Sequence, residues 1–527
     1  MAHQPSSAET AKEIQSQLSA LRKSRNLRQK KSADQSSLDR ADALTLDKLR
    51  RIFARLHDDG SFHCDPAEKD SVSGKWSAWL NSQLDQFIVM LVEHISDDKM
   101  YALRTFCGVI ASFPDVVTNE EEKREMLSER LLTKLVEAVC KSRKCFDANL
   151  VQDRSADEAL LTLLDSEFIQ QYRDVQYYVL MVLQKLAARL IDEKEKNDKA
   201  SGGNENNQTK DYEVEQNVEV VAENMARLLL KMDYIAKSHQ DLVDNASSLF
   251  APPALDAEDV IGKEQDENES ESDGETSESE ASDDDEGDHE QSEQHALAGT
   301  SKPFTKHPKK SKIASWQNAY KHRNALQEAW LTVLRLTIPP RTTKLILHHL
   351  STYILPIVPT PLRFAEYFTR SFRNGTIASN ANSNNNGLAA ILSLHGLFQL
   401  ILNHQLEYPS FYPSLYKLLH PRILYTKHRT RFLRLLSKSL MSNTMLPAYV
   451  VAAFCKKLLR LGLSGPPSGA LFVIALVSNL IRKHGEVACL IHRKGGDMMD
   501  VFVEDADDLI GTRGMIDCYL FHTKCLC

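Results

Sequence analysis

Between residues 302 and 493 the sequence has no Asp and only four Glu, set against 26 Lys and Arg. That scarcity argues against a hydrolase or transferase centre built on paired carboxylates. It also leaves a basic block that implies an anionic partner, nucleic acid being the usual one. Glycine (20) and proline (18) are few for 527 residues, which argues against collagen, a Pro-rich scaffold and a turn-dense all-β protein. The nine cysteines have no framework spacing, and the first thirty residues contain no apolar signal segment. Free thiols in the cytosol or nucleus are therefore expected. A membrane span needs roughly 20 apolar residues. The best candidate, 469–481, stops against Arg482 and Lys483 and reads as a buried core helix, so no membrane partner is expected.

Catalytic motifs are lacking as well. Gly74-Lys75 has no upstream glycine to make a phosphate loop, and there is no His-Glu-x-x-His or paired Cys-x-x-Cys. Cys518, His522, Cys525 and Cys527 have no helix or hairpin to orient them as metal ligands. His348-His349, on an amphipathic pattern, reads as a surface pair. The expectation is a non-enzyme with no cofactor, metal or small-molecule substrate.

Apolar residues make up 42% of the chain and charged residues 26%, enough for sizeable cores. At about 100–200 residues per domain the length predicts two to four domains. The net charge of −8 is a sum of opposed blocks, since 256–293 holds 19 Asp and Glu against one Lys.

Residues 1–43 are polar and basic, and are expected to be frayed or a lone helix. Arg22, Lys23, Arg25, Arg28, Lys30 and Lys31 fit a nuclear address or a solvated helix face. From 44 to 250 apolar residues recur at i, i+3, i+4 and i+7, placing helices at 76–95, 100–113, 121–140, 156–169, 172–191 and 214–234, with a polar loop at 192–211. Period-2 alternation is nearly absent. The acidic, Ser-rich stretch 251–302 lacks the apolar surface to offset its ordering entropy and is expected to be a disordered linker. Ser270, Ser272, Ser277 and Ser282 each have an acid three positions on, a pattern suited to acid-directed phosphorylation. A passive linker is the other reading.

Residues 303–493 form the second block, with helices at 316–336, 341–350, 362–371, 388–402, 410–419, 427–440, 449–461 and 468–482. Prolines such as Pro339, Pro340, Pro447, Pro466 and Pro467 punctuate them. An Asn-rich surface insertion is expected at 374–387. The helix at 388–402 is apolar almost all round, with Gly396 allowing close approach of a neighbour. Residues 494–527 form an acidic tail. The fold class is thus all-α, two helical-repeat blocks of HEAT or armadillo type joined by the acidic linker.

One helix carries a definite geometry. At 100° per residue, Lys427, Arg431, Arg434 and Lys438 fall in a stripe about 60° wide, with Phe432, Leu435, Leu436 and Leu440 facing the core. Such a line of cations suits a phosphate backbone. Lys456, Lys457 and Arg460 make a smaller cluster on the next helix. The anion fits RNA, an acidic protein surface, or the chain's own 256–293 segment, and a merely solvated face is the plainer alternative. Tyr408, Phe411, Tyr412 and Tyr416 crowd around two prolines, as aromatics do in interfaces and in cores alike.

The stretches LHGLFQLI (394–401), LEYPSFYPSLYKLL (406–419), RTRFLRLLSKSL (429–440), LPAYVVAAFCKKLLRLGLSGPP (446–467) and LIHR (490–493) resemble the CCAAT-binding-factor domain of the nucleolar complex protein 4 family. AWLTVLRL (329–336) and RFAEYFTRSF (363–372) resemble that family in the same order. The resemblance implies a nucleolar, helical-repeat assembly factor for the small ribosomal subunit. It implies action in pre-ribosomal RNA processing, with nucleolar protein 14 and the pre-ribosomal particle as partners. Partner binding would map onto Leu446, Pro447 and Tyr449. A sequence-specific DNA-binding regulator is the alternative, although nothing resembles a groove-reading helix with a dimerisation partner. After the acidic stretch 497–508 the chain departs from the family pattern, as a truncated or alternatively spliced form would, and the loss is expected to expose apolar surface over 468–482.

Overall fold

The structure is a computed structural model and describes residues 7–29, 35–62, 71–97, 99–119, 122–142, 159–200, 208–232, 318–380, 387–426, 428–443 and 446–491. The expected acidic linker, its four serines, Lys427 and the terminal cysteines lie outside the described residues.

Helix α1 (Ser7–Gln29) buries Ile14, Leu18 and Leu21, spaced by four and then three residues, against α2 (Gln35–Asp58), which answers with Leu46, Leu49 and Phe53. Polar bonds lock the pair, since Arg28 donates to Asp39 at 2.7 Å and to the buried Asp42 at 2.6 Å. The expectation of a frayed or lone N-terminal helix is therefore corrected. Its apolar stripe is thin but sufficient once a second helix completes it.

Helix α3 (Val72–Ser96) begins at Ser71, whose hydroxyl accepts the Gly74 amide at 3.1 Å. It packs on α4 (Met100–Ser112). A two-stranded antiparallel hairpin follows, β1 (Asp115–Asn119) on β2 (Glu122–Met126), in register Val117 to Arg124. The helix expected from 121 thus starts later, as α5 (Glu129–Lys141). The β-branched run Val116-Val117-Thr118 after Pro114 is the overlooked strand signal.

Helix α6 (Ala159–Leu164) runs into a π turn (Asp165–Ile169), then come α7 (Arg173–Ala200) and α8 (Gln208–Lys231). The polar loop expected at 192–211 is mostly helix, because Glu and Lys are good helix formers and solvent-facing turns need no apolar residue.

Helix α9 (Ala319–Val333) is capped by Asn318, which accepts the Tyr320 amide at 2.8 Å, and it lies directly on α7 and α8 with Trp330 fully buried. Helix α10 (Pro340–His349) starts on a proline, packs on α8 and ends in a π turn (Leu350–Ile354). The two blocks therefore share one continuous core.

A 3₁₀ turn (Pro361–Phe364) leads into α11 (Ala365–Asn380), which carries on through the first half of the expected Asn-rich insertion. Helix α12 (Gly387–His404) lies against it with Gly396 facing Phe368, where a Cβ would overlap the ring. Among the described residues α12 is the one helix long and apolar enough to cross a membrane, and 50% of it is buried inside the fold. Beyond it come α13 (Phe411–Lys417), a 3₁₀ turn (Pro421–Tyr425), α14 (Arg429–Ser442), α15 (Ala448–Ser464), α16 (Pro467–Lys483) and a last 3₁₀ turn (Gly485–Leu490). Helix α16 was expected to be a buried core helix. It is half of one: Val473, Leu476, Val477 and Leu480 are buried, whereas Leu471 is 70% exposed. Its buried side meets α15, α14 and the last 3₁₀ turn.

Candidate nucleic-acid interface

The basic side chains of the second block divide into two groups by what they touch. Arg370 donates to the Leu334 carbonyl at 2.7 Å, Lys457 to the Tyr416 carbonyl at 3.0 Å, and Lys483 to the Met441 carbonyl. Each of these oxygens lies at the C-terminal end of a helix, where the dipole is negative and backbone acceptors are left over. Arg341 pairs with Glu223 at 3.4 Å, and Arg363 pairs with Glu328. These cations hold the fold together.

Arg431, Arg434 and Lys438 belong to the second group. Phe432, Leu435, Leu436 and Leu440 turn one face of α14 into the core, which forces residues 431, 434 and 438 together onto the opposite face. All three are exposed, with no ion pair or side-chain hydrogen bond among the described residues. The first turn of α14 holds no acid, and His428 at its N-cap makes no capping bond through its side chain, so the positive end of the helix dipole adds to the stripe. Helices α9, α10, α12, α15 and α16 also begin without an acid. Beside the stripe runs a groove of about 590 Å³ between α14 and α16, floored by Leu433, Met441 and Phe472 and rimmed by Arg434 and Lys438.

The smaller cluster is not a surface. Lys456 is 3% exposed, and the ammonium of Lys457 sits 3.9 Å over the Tyr416 ring while bonding that residue's carbonyl. Arg460 is half-buried and acts on the same buried tyrosine. The assignment of these three to anion contact is corrected: α15 is covered on more than one side, and spacing alone does not say which side stays open. The aromatic run is also core. Phe411 stacks on Phe398 at 5.5 Å between ring centres, Tyr416 meets Phe454 edge-on at 5.3 Å, and Tyr412 donates to the Ser439 carbonyl at 3.4 Å. Of the residues expected to bind a partner, Leu446 is 7% exposed and Tyr449 half-buried, so Pro447 is the open one.

Two histidines missed by spacing arguments join the stripe. His395 on α12 is half-buried, and among the described residues its enclosed Nδ1 has no partner beyond its own backbone. Burial lowers its pKa first, and Lys438, His348 and Arg431 lower it further. His348 on α10 is likewise lowered by burial and then by Arg431, and its Nδ1 lies 3.4 Å from the Thr352 hydroxyl. The available signal for His395 was an imidazole in the apolar middle of α12.

Burial pushes the thiols of Cys107 and Cys455 up to about 12, which leaves no thiolate at neutral pH. No group of three or more His, Cys, Asp or Glu among the described residues is arranged to hold a metal.

Stacked helices joined through a shared core, with a cationic face on one of them, define a helical-repeat scaffold of the docking class. Residues 9–195 match the family model described as nucleolar complex protein 4-like TPR repeats, and residues 390–508 match the CBF/Mak21 family. The repeat type is thus TPR by that description, where HEAT or armadillo was the expectation. The mouse nucleolar complex protein 4 homolog is 36% identical over 197 residues, 37% of this chain and 36% of its own length. The human homolog is 37% identical over 188 residues, 35% of this chain and 34% of its own. An Arabidopsis relative, nucleolar complex associated 4, is 37% identical over 181 residues, 34% of this chain and 28% of its own. The chain matches about a third of the length of these relatives. In both matched stretches the chain is similar to the nucleolar complex protein 4 family.

Proposed function

We propose that the chain is a nucleolar scaffold in ribosome biogenesis that holds pre-ribosomal RNA through the outer face of α14 and a protein partner through its helical surfaces. The step served is small-subunit assembly with its RNA processing, and the partner is the one the family resemblance implies, nucleolar protein 14, with Pro447 and the helices beside it as the contact. The observation that carries the RNA reading is the line Arg431, Arg434 and Lys438, three exposed cations that no carboxylate of the fold neutralises among the described residues. Phosphate contact of this kind has a steep salt dependence and little sequence preference.

Filter binding of a pre-ribosomal RNA fragment and of duplex DNA, across a salt series, tests it. The triple variant Arg431→Glu, Arg434→Glu, Lys438→Glu is expected to bind RNA more weakly, with the log–log salt slope reduced by roughly two. Its helicity should be unchanged. Equal RNA affinity for the variant and the parent chain removes the stripe from the function, and a sequence-specific preference for the duplex favours the DNA regulator instead.

A further inference from the structure

The groove between α14 and α16 is floored by apolar side chains, edged by Arg434 and Lys438, and lined by no acid. It follows α14 from Thr430, beside Ser468, to Met441, eleven helical steps or about 17 Å. At the Met441 end the amine of Lys483, in the last turn of α16, donates to the Met441 carbonyl. The groove therefore ends beside the point where the chain leaves α16 for the last 3₁₀ turn, which packs on α15 and α16. The described chain stops just beyond that turn at Ile491, which is exposed.

The sequence that follows Ile491 has the complementary chemistry. Residues 492–496 end in Gly495-Gly496 and reach about 17 Å when extended. Residues 497–510 hold six acids and no Lys or Arg. At 100° per residue, Met498, Met499, Phe502, Val503, Leu509 and Ile510 fall in a stripe about 140° wide, and all six acids fall outside it. Asp500 and Glu504 lie on one flank, a single turn apart, which is also the spacing of Arg434 and Lys438 on α14. From Met498 to Leu509 the stripe is eleven helical steps long, the length of the groove. The match to the CBF/Mak21 family covers residues 390–508, so both groove helices and all six acids lie in one matched stretch.

We propose that residues 497–510 dock in the groove between α14 and α16 of their own chain as an amphipathic acidic helix. Its apolar stripe covers Leu433, Met441 and Phe472, and Asp500 and Glu504 meet Arg434 and Lys438. A phosphate backbone engages only the edge of such a groove, whereas this segment matches both edge and floor. A tether of five residues holds the segment at a local concentration in the millimolar range, so weak contacts suffice. Docking sets two carboxylates against two of the three cations on the α14 face, and the segment and RNA then compete for them. The docking does not rest on the RNA reading; the competition does.

The test uses the full chain, its variant Phe502→Glu, Leu509→Glu, and a fluorescent peptide of residues 497–510. Amide exchange over 430–441 and 468–483 should be about threefold faster in the variant, with 72–112 unchanged. The peptide should bind the variant in the micromolar range and the parent about tenfold more weakly, because the parent's groove is filled. Adding Arg434→Glu and Lys438→Glu to the variant should cost the peptide about tenfold, and a peptide with Asp500→Lys and Glu504→Lys should recover the loss. Should the apolar variant aggregate, Asp500→Lys, Glu504→Lys in the chain itself keeps the stripe and should speed exchange over the same two stretches. Unchanged exchange, or a peptide that binds parent and variant alike, overturns the docking. Protection in the parent that disappears on dilution gives the groove to a second copy and overturns the intramolecular contact. RNA affinity of the same chains separates the two readings. A rise of about two- to fivefold in the variant supports competition on the α14 face. An unchanged RNA affinity, with the exchange and peptide results as expected, leaves the docking standing and overturns the RNA role of Arg434 and Lys438.

Discussion

Thr342 donates a hydrogen bond of 2.6 Å to Glu223, a contact between residues 119 positions apart that ties the N-terminal array to the second block. Glu223 is 1% exposed and also receives Arg227 at 3.0 Å and Arg341 at 3.4 Å. A carboxylate this deep persists because three donors converge on it, and removing it leaves those donors facing an apolar seam. Glu223→Ala is expected to cost about 2–3 kcal/mol, discounted because Arg341 reaches solvent. Glu223→Gln, which keeps an acceptor for Thr342, should cost less. Urea unfolding of both variants checks the order. A single cooperative transition in the parent chain is expected, since the two blocks have one core.

Gly396 makes the closest approach of any described glycine in the second block. A methyl group there would overlap the Phe368 ring, so Gly396→Ala forces α11 and α12 apart and should destabilise by about 1–3 kcal/mol. Phe368→Leu costs stability by itself but makes room, and the alanine should cost less in that background. A double-mutant cycle of unfolding free energies reads the coupling directly. Additive effects would show that the two side chains do not compete for the same space.

The pH dependence of stability follows from His94 and His395. Both are held below the usual imidazole range, burial being the first cause, with Arg28 adding to it at His94 and Lys438, His348 and Arg431 at His395. The fold therefore favours the neutral rings, and between the folded values and the ordinary imidazole value of 6.5 the unfolded chain binds more protons. Stability is complete above that value and is lost as pH falls below it. Urea midpoints should drop between about pH 7 and pH 5.5, and His94→Gln should flatten part of the drop. A midpoint that rises on acidification would reverse the sign of the linkage.

How much of this was legible in the sequence depends on which contacts are local. Arg431, Arg434 and Lys438 lie on one turn-periodic face whose opposite face is plainly apolar, so spacing alone places them outside. Gly396 was readable for the same reason, as the small residue on an all-apolar helix. Lys456 was not. Helix α15 is apolar on several faces, and the aromatic Tyr416 that receives Lys457 comes from a helix with no sequence signal for that contact. His395 was hidden likewise, because its neighbours His348, Arg431 and Lys438 come from two other helices. The N-terminal pair failed for an energetic reason. The stripe of Ile14, Leu18 and Leu21 is too narrow to predict packing until the Arg28 bonds to Asp39 and Asp42 are known.

The division of the basic residues yields the last prediction, a double dissociation. Lys457→Met keeps the volume of the side chain but removes the donor to the Tyr416 carbonyl and the cation over its ring, so about 1–2 kcal/mol of stability should be lost. RNA affinity at a temperature where the chain stays folded should not change. Arg434→Gln should do the reverse, weakening RNA binding with thermal stability within about 0.5 kcal/mol of the parent, since this exposed side chain has no partner among the described residues. The contrast isolates geometry from charge, because each substitution removes one positive charge from the same block. If both variants lose RNA affinity equally, the basic block acts through its total field and not through the face of α14.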